Sequence, residues 1–323
     1  MARDAEVSVV VATYQRADLL PALLGGLVAQ DDARFEVIVV DDASTDDTAA
    51  VLARLAATAP FPVRVLRQEG NQGPSAARNR GWRAATAPVV VFTDDDCVPQ
   101  PGWLRGLIAG IERGADIVQG RTEPDPAHLQ EHGPFGRTMR VPHEEGYYET
   151  CNIAYRREWL ERLGGFDESF RIAEDVDLAW RAREAGARTA FAADALVYHA
   201  VFPSDWWVAA RKVDRSGGLQ RALRRHPDAR RHLHKRVFHR PAHAASLAAA
   251  AAGLALLAQP RSPVRWAVAA VLGARYAWLV RMVRYPPPRK AQWFTVVPAA
   301  FCFDLYETAV FARASVRERT LLL

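Results

Sequence analysis

The chain has 323 residues, 50% of them hydrophobic and 24% charged. That balance excludes a disordered or collagen-like protein and leaves material for one large domain or two of moderate size. The net charge of +5 is mild but uneven: between 211 and 240, Arg211, Lys212, Arg215, Arg221, Arg224, Arg225, Arg230, Arg231, Lys235, Arg236 and Arg240 face only Asp214 and Asp228. Such a segment suits a phosphorylated lipid, a membrane surface or a nucleic acid as neighbour.

Residues 1–6 are polar and lack a signal-peptide apolar core, so a cytoplasmic front domain is expected. A strand is predicted over 7–12, then an amphipathic helix over 18–29 opened by an Asp18 cap. A second strand over 35–40 ends at Asp41 and Asp42, a helix follows over 46–57, and a third strand over 63–66. Gly70, Asn71, Gln72 and Gly73 form a turn, and Pro74 opens a helix running to about 85. The apolar run 89–93 then ends abruptly in Asp94, Asp95 and Asp96, and a helix starts near Pro101. The next strand is predicted over 116–118. Residues 121–150, rich in Pro, His, Gly and Glu, break the rhythm and read as a binding surface for an acceptor.

Order returns over 151–155, with a helix over 156–163, the run Gly164-Gly165-Phe166-Asp167, and a helix over 174–184 whose inward stripe is Val176, Ala179 and Trp180. His199 falls at a strand end. The alternation implies an α/β fold with right-handed crossovers and a mostly parallel sheet flanked by helices. Cys97, Cys151 and Cys302 are odd in number and have no paired spacing, so they read as packed thiols of a reducing compartment.

Beyond Trp206 come the basic segment and three apolar stretches, 242–258, 264–283 and 293–312. The first is short and mostly alanine; the second holds Arg265, Arg275 and Arg281, and the third Asp304 and Glu307. Charges there are expensive in hydrocarbon, so none reads as a clean transmembrane helix. Amphipathic helices in the membrane interface, with a re-entrant hairpin at 259–263, fit the pattern. The alternative is an ordinary helical subdomain or a dimer interface, and nothing in the sequence specifies an oligomeric state.

Four polar clusters fall on one side of the predicted sheet: Thr13, Tyr14, Gln15 and Arg16; Asp41 to Ser44; the loop from Asn71 to Asn79; and Asp94 to Asp96. Loops converging on the carboxyl edge of such a sheet make a mononucleotide pocket. Backbone near Thr13 would line the base, and Asp42 could accept from a base or ribose hydrogen. Three adjacent carboxylates repel unless a cation or donors lie between them. A Mg2+ or Mn2+ ion held by Asp94 and Asp96 would bridge a diphosphate, whereas taken alone the triplet could be an acidic turn capping a helix.

Val-Ser-Val-Val-Val-Ala-Thr-Tyr-Gln-Arg at 7–16, Val-Ile-Val-Val-Asp-Asp-Ala-Ser-Thr-Asp at 37–46 and Asn-Gln-Gly-Pro-Ser-Ala-Ala-Arg-Asn at 71–79 resemble a family-2 glycosyltransferase. Thr-Asp-Asp-Asp-Cys-Val-Pro at 93–99 and Gly-Gly-Phe-Asp-Glu with Glu-Asp-Val-Asp-Leu in 164–178 complete the set, in order, over about the first 200 residues. The resemblance implies a GT-A fold and metal-dependent, inverting transfer from a nucleotide-diphosphate sugar. It further implies that Asp42 binds the nucleoside, Arg78 lies in the donor site, Asp94 and Asp96 match the metal-binding Asp-x-Asp, and Asp175 of the Glu174–Asp175 pair is the base. His199 stands where some relatives place a further metal or phosphate contact.

Inversion by single displacement needs one carboxylate to take the acceptor's proton. The dipole of the helix starting at Glu174 is expected to favour ionised Asp175; the bland reading of the pair is a helix N-terminal cap. The Gln-x-x-Arg-Trp of processive synthases is missing, since Gln220 leads only to Arg224, so transfer of one or a few sugars is expected. The division expected is a catalytic domain over 1–205 and a basic, membrane-associated helical region over 206–323, at the cytoplasmic face, acting on a glycan or polyprenyl-linked acceptor. Two alternatives are a sugar-phosphate nucleotidyltransferase, which would need glycines and a lysine that 13–20 lacks, and a non-catalytic nucleotide-sugar-binding protein. No nucleic acid is expected, because the arginines lack interleaved aromatics.

Overall fold

The computed structural model describes residues 5–30, 33–131, 135–213, 217–283 and 293–323; Asp214 and Arg215 of the basic segment, residues 1–4 of the polar N-terminus and 132–134 of the irregular stretch lie outside them. The chain forms two compact units. One is Met1–Pro126 with Thr138–Ala200, and the other is Ala127–Arg137 with Val201–Leu323.

The first unit is built on eight strands: β1 Val7–Thr13, β2 Phe35–Asp41, β3 Val63–Arg67, β4 Val89–Thr93, β5 Cys97–Pro99, β6 Ile117–Pro124, β7 Asn152–Arg156 and β8 Thr189–His199. Their order in the sheet is β3-β2-β1-β4-β7-β6-β8-β5. The helices are α1 Leu20–Val28, α2 Thr48–Thr58, α3 Pro74–Ala84, α4 Trp103–Glu112, α5 Arg157–Leu163 and α6 Glu174–Glu184. β3, β2, β1 and β4 run parallel, with Thr13 opposite Asp41 and Val10 opposite Phe92. β1, β2 and β4 are apolar almost throughout because helices cover both faces. Val7, Val9 and Val11 pack with Leu20, Leu23, Leu27 and Leu52 on one side. On the other, Val10 meets Gly81 of α3, where any side chain would collide with it. In-register parallel strands therefore deliver Tyr14–Arg16, Asp42 and Asp94–Asp96 to one edge.

Beyond β4 the sheet is mixed. β7 runs antiparallel to both β4 and β6, and β5, unforeseen in the sequence, pairs antiparallel with β8 and sets Cys97 opposite His199. β6 is much longer than the predicted 116–118, because pairing with β8 carries it to Pro124 past an irregularity at Gly120/Arg121. Tertiary pairing here overrides an unhelpful local sequence. Asp18 does not cap α1, which starts at Leu20 with Pro21 in its first turn and no side-chain cap. Asp46 does hold the start of α2, accepting from the Thr48 N–H at 3.1 Å.

The second unit contains α7 Trp206–Val213, α8 Gly218–Arg225, α9 Pro241–Ala258, α10 Pro263–Val283 and α11 Trp293–Glu318. The sequence reading of three amphipathic interfacial helices needs correcting. The apolar residues of α9 and α10 are spread around each helix, not gathered on one face. α9 and α11 are, by length and composition, long and apolar enough to cross a membrane. Asp304 and Glu307, the awkward charges of the third stretch, are buried inside the unit. The Tyr276 hydroxyl donates to Asp304 Oδ2 at 2.7 Å, and Glu307 Oε2 lies 3.0 Å from His243 Nε2 and 3.8 Å from Arg240.

Asn152 joins four elements of the first unit. Its Oδ1 accepts from Trp103 Nε1 at 2.8 Å, and its Nδ2 donates at 2.8 Å to both Arg121 O and Ala195 O. Asn152→Ala leaves these buried groups unpaired and is expected to cost about 3 kcal/mol, read as a lower denaturant midpoint at unchanged slope.

Candidate active site

The centre of the site is Arg78, which α3 carries from its apolar-facing side. Gly73 at φ 92° and Pro74 fix where that helix begins. Arg78 is buried, and donates from Nη1 to Glu174 Oε1 at 2.7 Å and from Nη2 to Asp94 Oδ1 at 2.8 Å. One guanidinium thus links the loop after β4 to the first turn of α6. Asp94 and Glu174 raise its pKa further against the cost of burial, so it stays charged.

The three consecutive aspartates have different surroundings. Asp94 is held by Arg78 and is the most exposed of the pairings around that arginine, at 28%. Asp95 is buried beside Thr13 and 3.8 Å from Arg16 Nε. Burial, then Asp96, push Asp95 up to about 7 against Thr13 and Arg16. Asp96 is also raised by burial, opposed by His199, whose Nε2 lies 3.4 Å from Asp96 Oδ1. His199 Nδ1 is 2.8 Å from the Ala200 carbonyl oxygen. A proton on Nδ1 would donate there and leave the Nε2 lone pair turned toward Asp96, the orientation usual for a metal-binding imidazole. Asp96 Oδ1 is buried without a hydrogen-bond partner, and Asp96, Cys97 and His199 bring ligand atoms within 4.8 Å of one another. These residues fit a divalent cation.

Asp42 has work of its own. Its Oδ1 accepts from Gln68 Nε2 at 2.6 Å and Gln72 N at 2.8 Å, and its Oδ2 from Gly73 N at 2.8 Å. A carboxylate has about four acceptor positions, so most of Asp42 is spent shaping the 71–74 loop. Tyr14 and Asn71 are exposed at the same edge. Gln15, at φ 57°, donates its N–H to Ser44 Oγ at 2.9 Å and ties the first two loops together.

On the other side stands Asp175. Ala173 enters α6 at φ 67°, a left-handed conformation that costs a non-glycine residue roughly 1–2 kcal/mol. The turn presents Glu174 to Arg78, while Asp175 accepts from Val176 N at 2.8 Å and Thr150 N at 3.3 Å. The helix-dipole expectation is reversed: burial, with Glu174 beside it, raises the Asp175 pKa despite Arg78 and the backbone donors. Val176, Ala179 and Trp180 are buried as predicted.

Sequence reasoning missed Glu149, which burial pushes up to about 8, with Asp175 adding to the rise. It lies in the aperiodic stretch before β7, where only its acidity could have marked it. The contact between Cys97 and Cys151 was also hidden. The buried Cys97 thiol of β5 interacts directly with that of Cys151, just before β7, and burial keeps the Cys97 thiol well above its usual value. The Gly-Gly-Phe-Asp-Glu run serves packing: Asn79 Oδ1 accepts from Phe166 N at 2.9 Å and its Nδ2 donates to Phe166 O at 2.8 Å, clamping the run onto α3.

A mixed sheet of this order flanked by helices has the architecture of the GT-A fold. Residues 8–164 match glycosyl transferase family 2, and residues 89–283 match glycosyl transferase family group 2. The chain therefore belongs to glycosyl transferase family 2.

Among its relatives is the pre-mycofactocin glycosyltransferase of Mycobacterium tuberculosis, 33% identical over 244 residues, covering 69% of this chain and 48% of the relative. The glycosyltransferase AglE of Haloferax volcanii is 30% identical, covering 61% and 67%, and the succinoglycan biosynthesis protein ExoO of Rhizobium meliloti 32% identical, covering 60% of each. This chain thus spans about half the length of the mycobacterial relative. In structure it resembles the mannosyltransferase PcManGT of Pyrobaculum calidifontis, solved with GDP-Man and Mn2+, at TM-score 0.66 and 23% identity over 98% of this chain and 88% of that one. It also resembles S. aureus TarS 1–349, at TM-score 0.53 and 20% identity over 98% and 92%. These structural likenesses carry the fold.

A carboxyl whose folded pKa is raised binds more protons folded than unfolded between pH 4 and its folded pKa, so its contribution is full at low pH and lost as pH rises. Asp95, at about 7, is such a group, while His239, pushed down to about 3 by burial, acts oppositely between pH 3 and 6.5. Asp95→Asn removes the first and keeps the second. Relative to wild type, that variant is expected to gain thermal stability as pH rises from 5 to 8; a constant difference counts against this account.

Proposed function

We propose that this protein is a metal-dependent, inverting, non-processive glycosyltransferase that moves a sugar from a nucleotide-diphosphate donor to a cell-surface glycan or polyprenyl-linked acceptor at the cytoplasmic membrane surface. The observation that carries the reading is the Arg78 bridge, because it fixes the donor-side Asp94 and the Glu174–Asp175 pair on one rigid group. Family membership favours this over the nucleotidyltransferase alternative.

In this reading, loops at Thr13–Arg16, Asp42 and Asn71 receive the nucleoside, and Asp94 and Asp96 with His199 hold Mg2+ or Mn2+. The ion, when bound, neutralises charge on the leaving diphosphate. Asp175 takes the proton of the acceptor hydroxyl as its oxygen attacks the anomeric carbon opposite the departing diphosphate. The raised pKa of Asp175 suits the task, since a stronger base takes a hydroxyl proton more readily, provided it is ionised at the working pH. Glu174 stays with Arg78 and positions its neighbour. The acidic loop around Glu149 lies on the acceptor side. Residues 206–323 supply the membrane-facing region, with two helices long and apolar enough to span and a basic segment before them.

Asp175→Asn should lower transfer by at least about a thousandfold while preserving the thermal shift produced by a nucleotide diphosphate with manganese. Arg78→Lys should impair both, since a lysine cannot bridge two carboxylates with the same geometry. Full activity in the Asp175 variant would remove the base assignment. A protein that no nucleotide diphosphate stabilises, with or without manganese, would remove the donor reading.

A further inference from the structure

Within the helical unit, the turn at the foot of α9 is made by Lys235 and Arg236, at φ 52° and 64°. His234 and Phe238 close it, with the Phe238 N–H donating to His234 O at 2.9 Å. Two successive non-glycine residues in the left-handed region cost roughly 1–2 kcal/mol each, where Asn-Gly would cost little. Strain of this kind is retained where the residues it presents have a use.

The turn borders a cavity of about 170 Å3, lined by His234, Lys235 and Arg275 at one end and by Ala244, Ala248 and Leu272 along α9 and α10. Lys235 and Arg275 are exposed, and among the described residues neither has a carboxylate within ion-pair distance. They stand near enough to His234 to depress its protonation, after burial. Positive groups gathered around a cavity without a counter-charge favour an anion between them.

Past the cavity, α9 and α10 continue to the turn at Gln259–Ser262 as a hairpin. There Leu254, Leu257, Val264, Trp266 and Val271 are 69%, 78%, 70%, 58% and 67% exposed. Roughly ten residues of each helix lie in this part, about 15 Å at 1.5 Å per residue, with Arg261 and Arg265 at its tip. Exposed apolar side chains of this size, with Lys235 and Arg275 at the level of the helices' exit and Arg261 and Arg265 at the tip, fit a hairpin inclined in the headgroup-proximal part of one leaflet, where both sets of cations reach the headgroups.

We infer that this cavity is a binding site for the phosphate of an anionic membrane phospholipid, with Lys235 and Arg275 on the phosphate, Ala244, Ala248 and Leu272 along the start of its chain, and the hairpin beyond inclined in the same leaflet with Arg261 and Arg265 at headgroup level. The inference rests on the membrane-surface reading above but not on the donor or base assignments. The site sets the depth of the helical unit and gives it a preference for acidic membranes.

The test uses the full chain floated with vesicles of phosphatidylcholine alone or with added phosphatidylglycerol. Binding should be stronger to the acidic vesicles, and Lys235→Ala with Arg275→Ala should weaken that binding about tenfold while leaving attachment to neutral vesicles unchanged. Lipids brominated along the acyl chain should quench tryptophan fluorescence, and Trp266→Phe should remove much of the quenching. Leu254→Asp with Leu257→Asp should abolish attachment to both kinds of vesicle. Equal binding of wild type to both vesicles, or no effect of the cation variants, overturns the proposal. Binding of inorganic phosphate at Lys235 and Arg275 without attachment to vesicles overturns the lipid assignment. Thermal shift with nucleotide diphosphate and manganese on the same samples separates the two readings: a protein that floats but ignores nucleotide refutes the donor site alone, and the converse refutes this one alone.

Discussion

Arg78 is the interaction on which the first unit's chemistry depends. A buried guanidinium is tolerable only with its charge paired, and removing one partner of such a pair is far more costly than its net worth. Here the partners are Asp94 and Glu174, from segments far apart in sequence. The cost of burying Arg78 therefore becomes a constraint on geometry: the loop after β4 and the start of α6 must face one another across α3. Asn79, one residue on, reinforces this by clamping the backbone of Phe166, and Phe166 in turn lies 5.9 Å from the Arg78 guanidinium.

That linkage explains why the legible parts of the sequence were legible. β1, β2 and β4 are short apolar runs with both faces covered, so their parallel association and the edge they share follow from hydrophobic pattern alone. The acids at that edge stand out because nothing in a helix or strand requires them. By contrast β5, the extension of β6 and the antiparallel β7 depend on pairing partners tens of residues away, and a three-residue strand such as Cys97–Pro99 has no periodicity to read. Cys97 and Cys151 illustrate the same limit: their adjacency comes from the sheet and leaves no trace in their spacing.

The helical unit was harder for a different reason. Composition singled out Asp304, Glu307 and the arginines as charges unsuited to hydrocarbon, and the inference of interfacial, amphipathic helices followed. The acids are instead absorbed by His243, Arg240 and Tyr276 inside the unit. α9 and α10, which carry neither acid, have their apolar residues spread around each helix and not gathered in a stripe. A hydrophobic pattern distinguishes a face from a cylinder only if every polar residue is known to point outward, and here several point in.

The carboxyl edge of the sheet shows how such local costs combine. Arg16 and Arg78 stand against Asp94, Asp95, Asp96, Glu149, Glu174 and Asp175, several of them buried, so burial first and neighbouring carboxylates second favour the protonated forms of Asp95, Glu149 and Asp175. A divalent ion at Asp94 and Asp96 would supply positive charge to the cluster and lower those same pKa values, and an anionic ligand arriving with it would restore negative charge beside Asp175. Asp175 is then held ionisable by Arg78 and by its two backbone donors, while its burial keeps it basic. The acidity that makes the empty site unfavourable is thus the property that would draw in a metal and leave one carboxylate ready to take a proton.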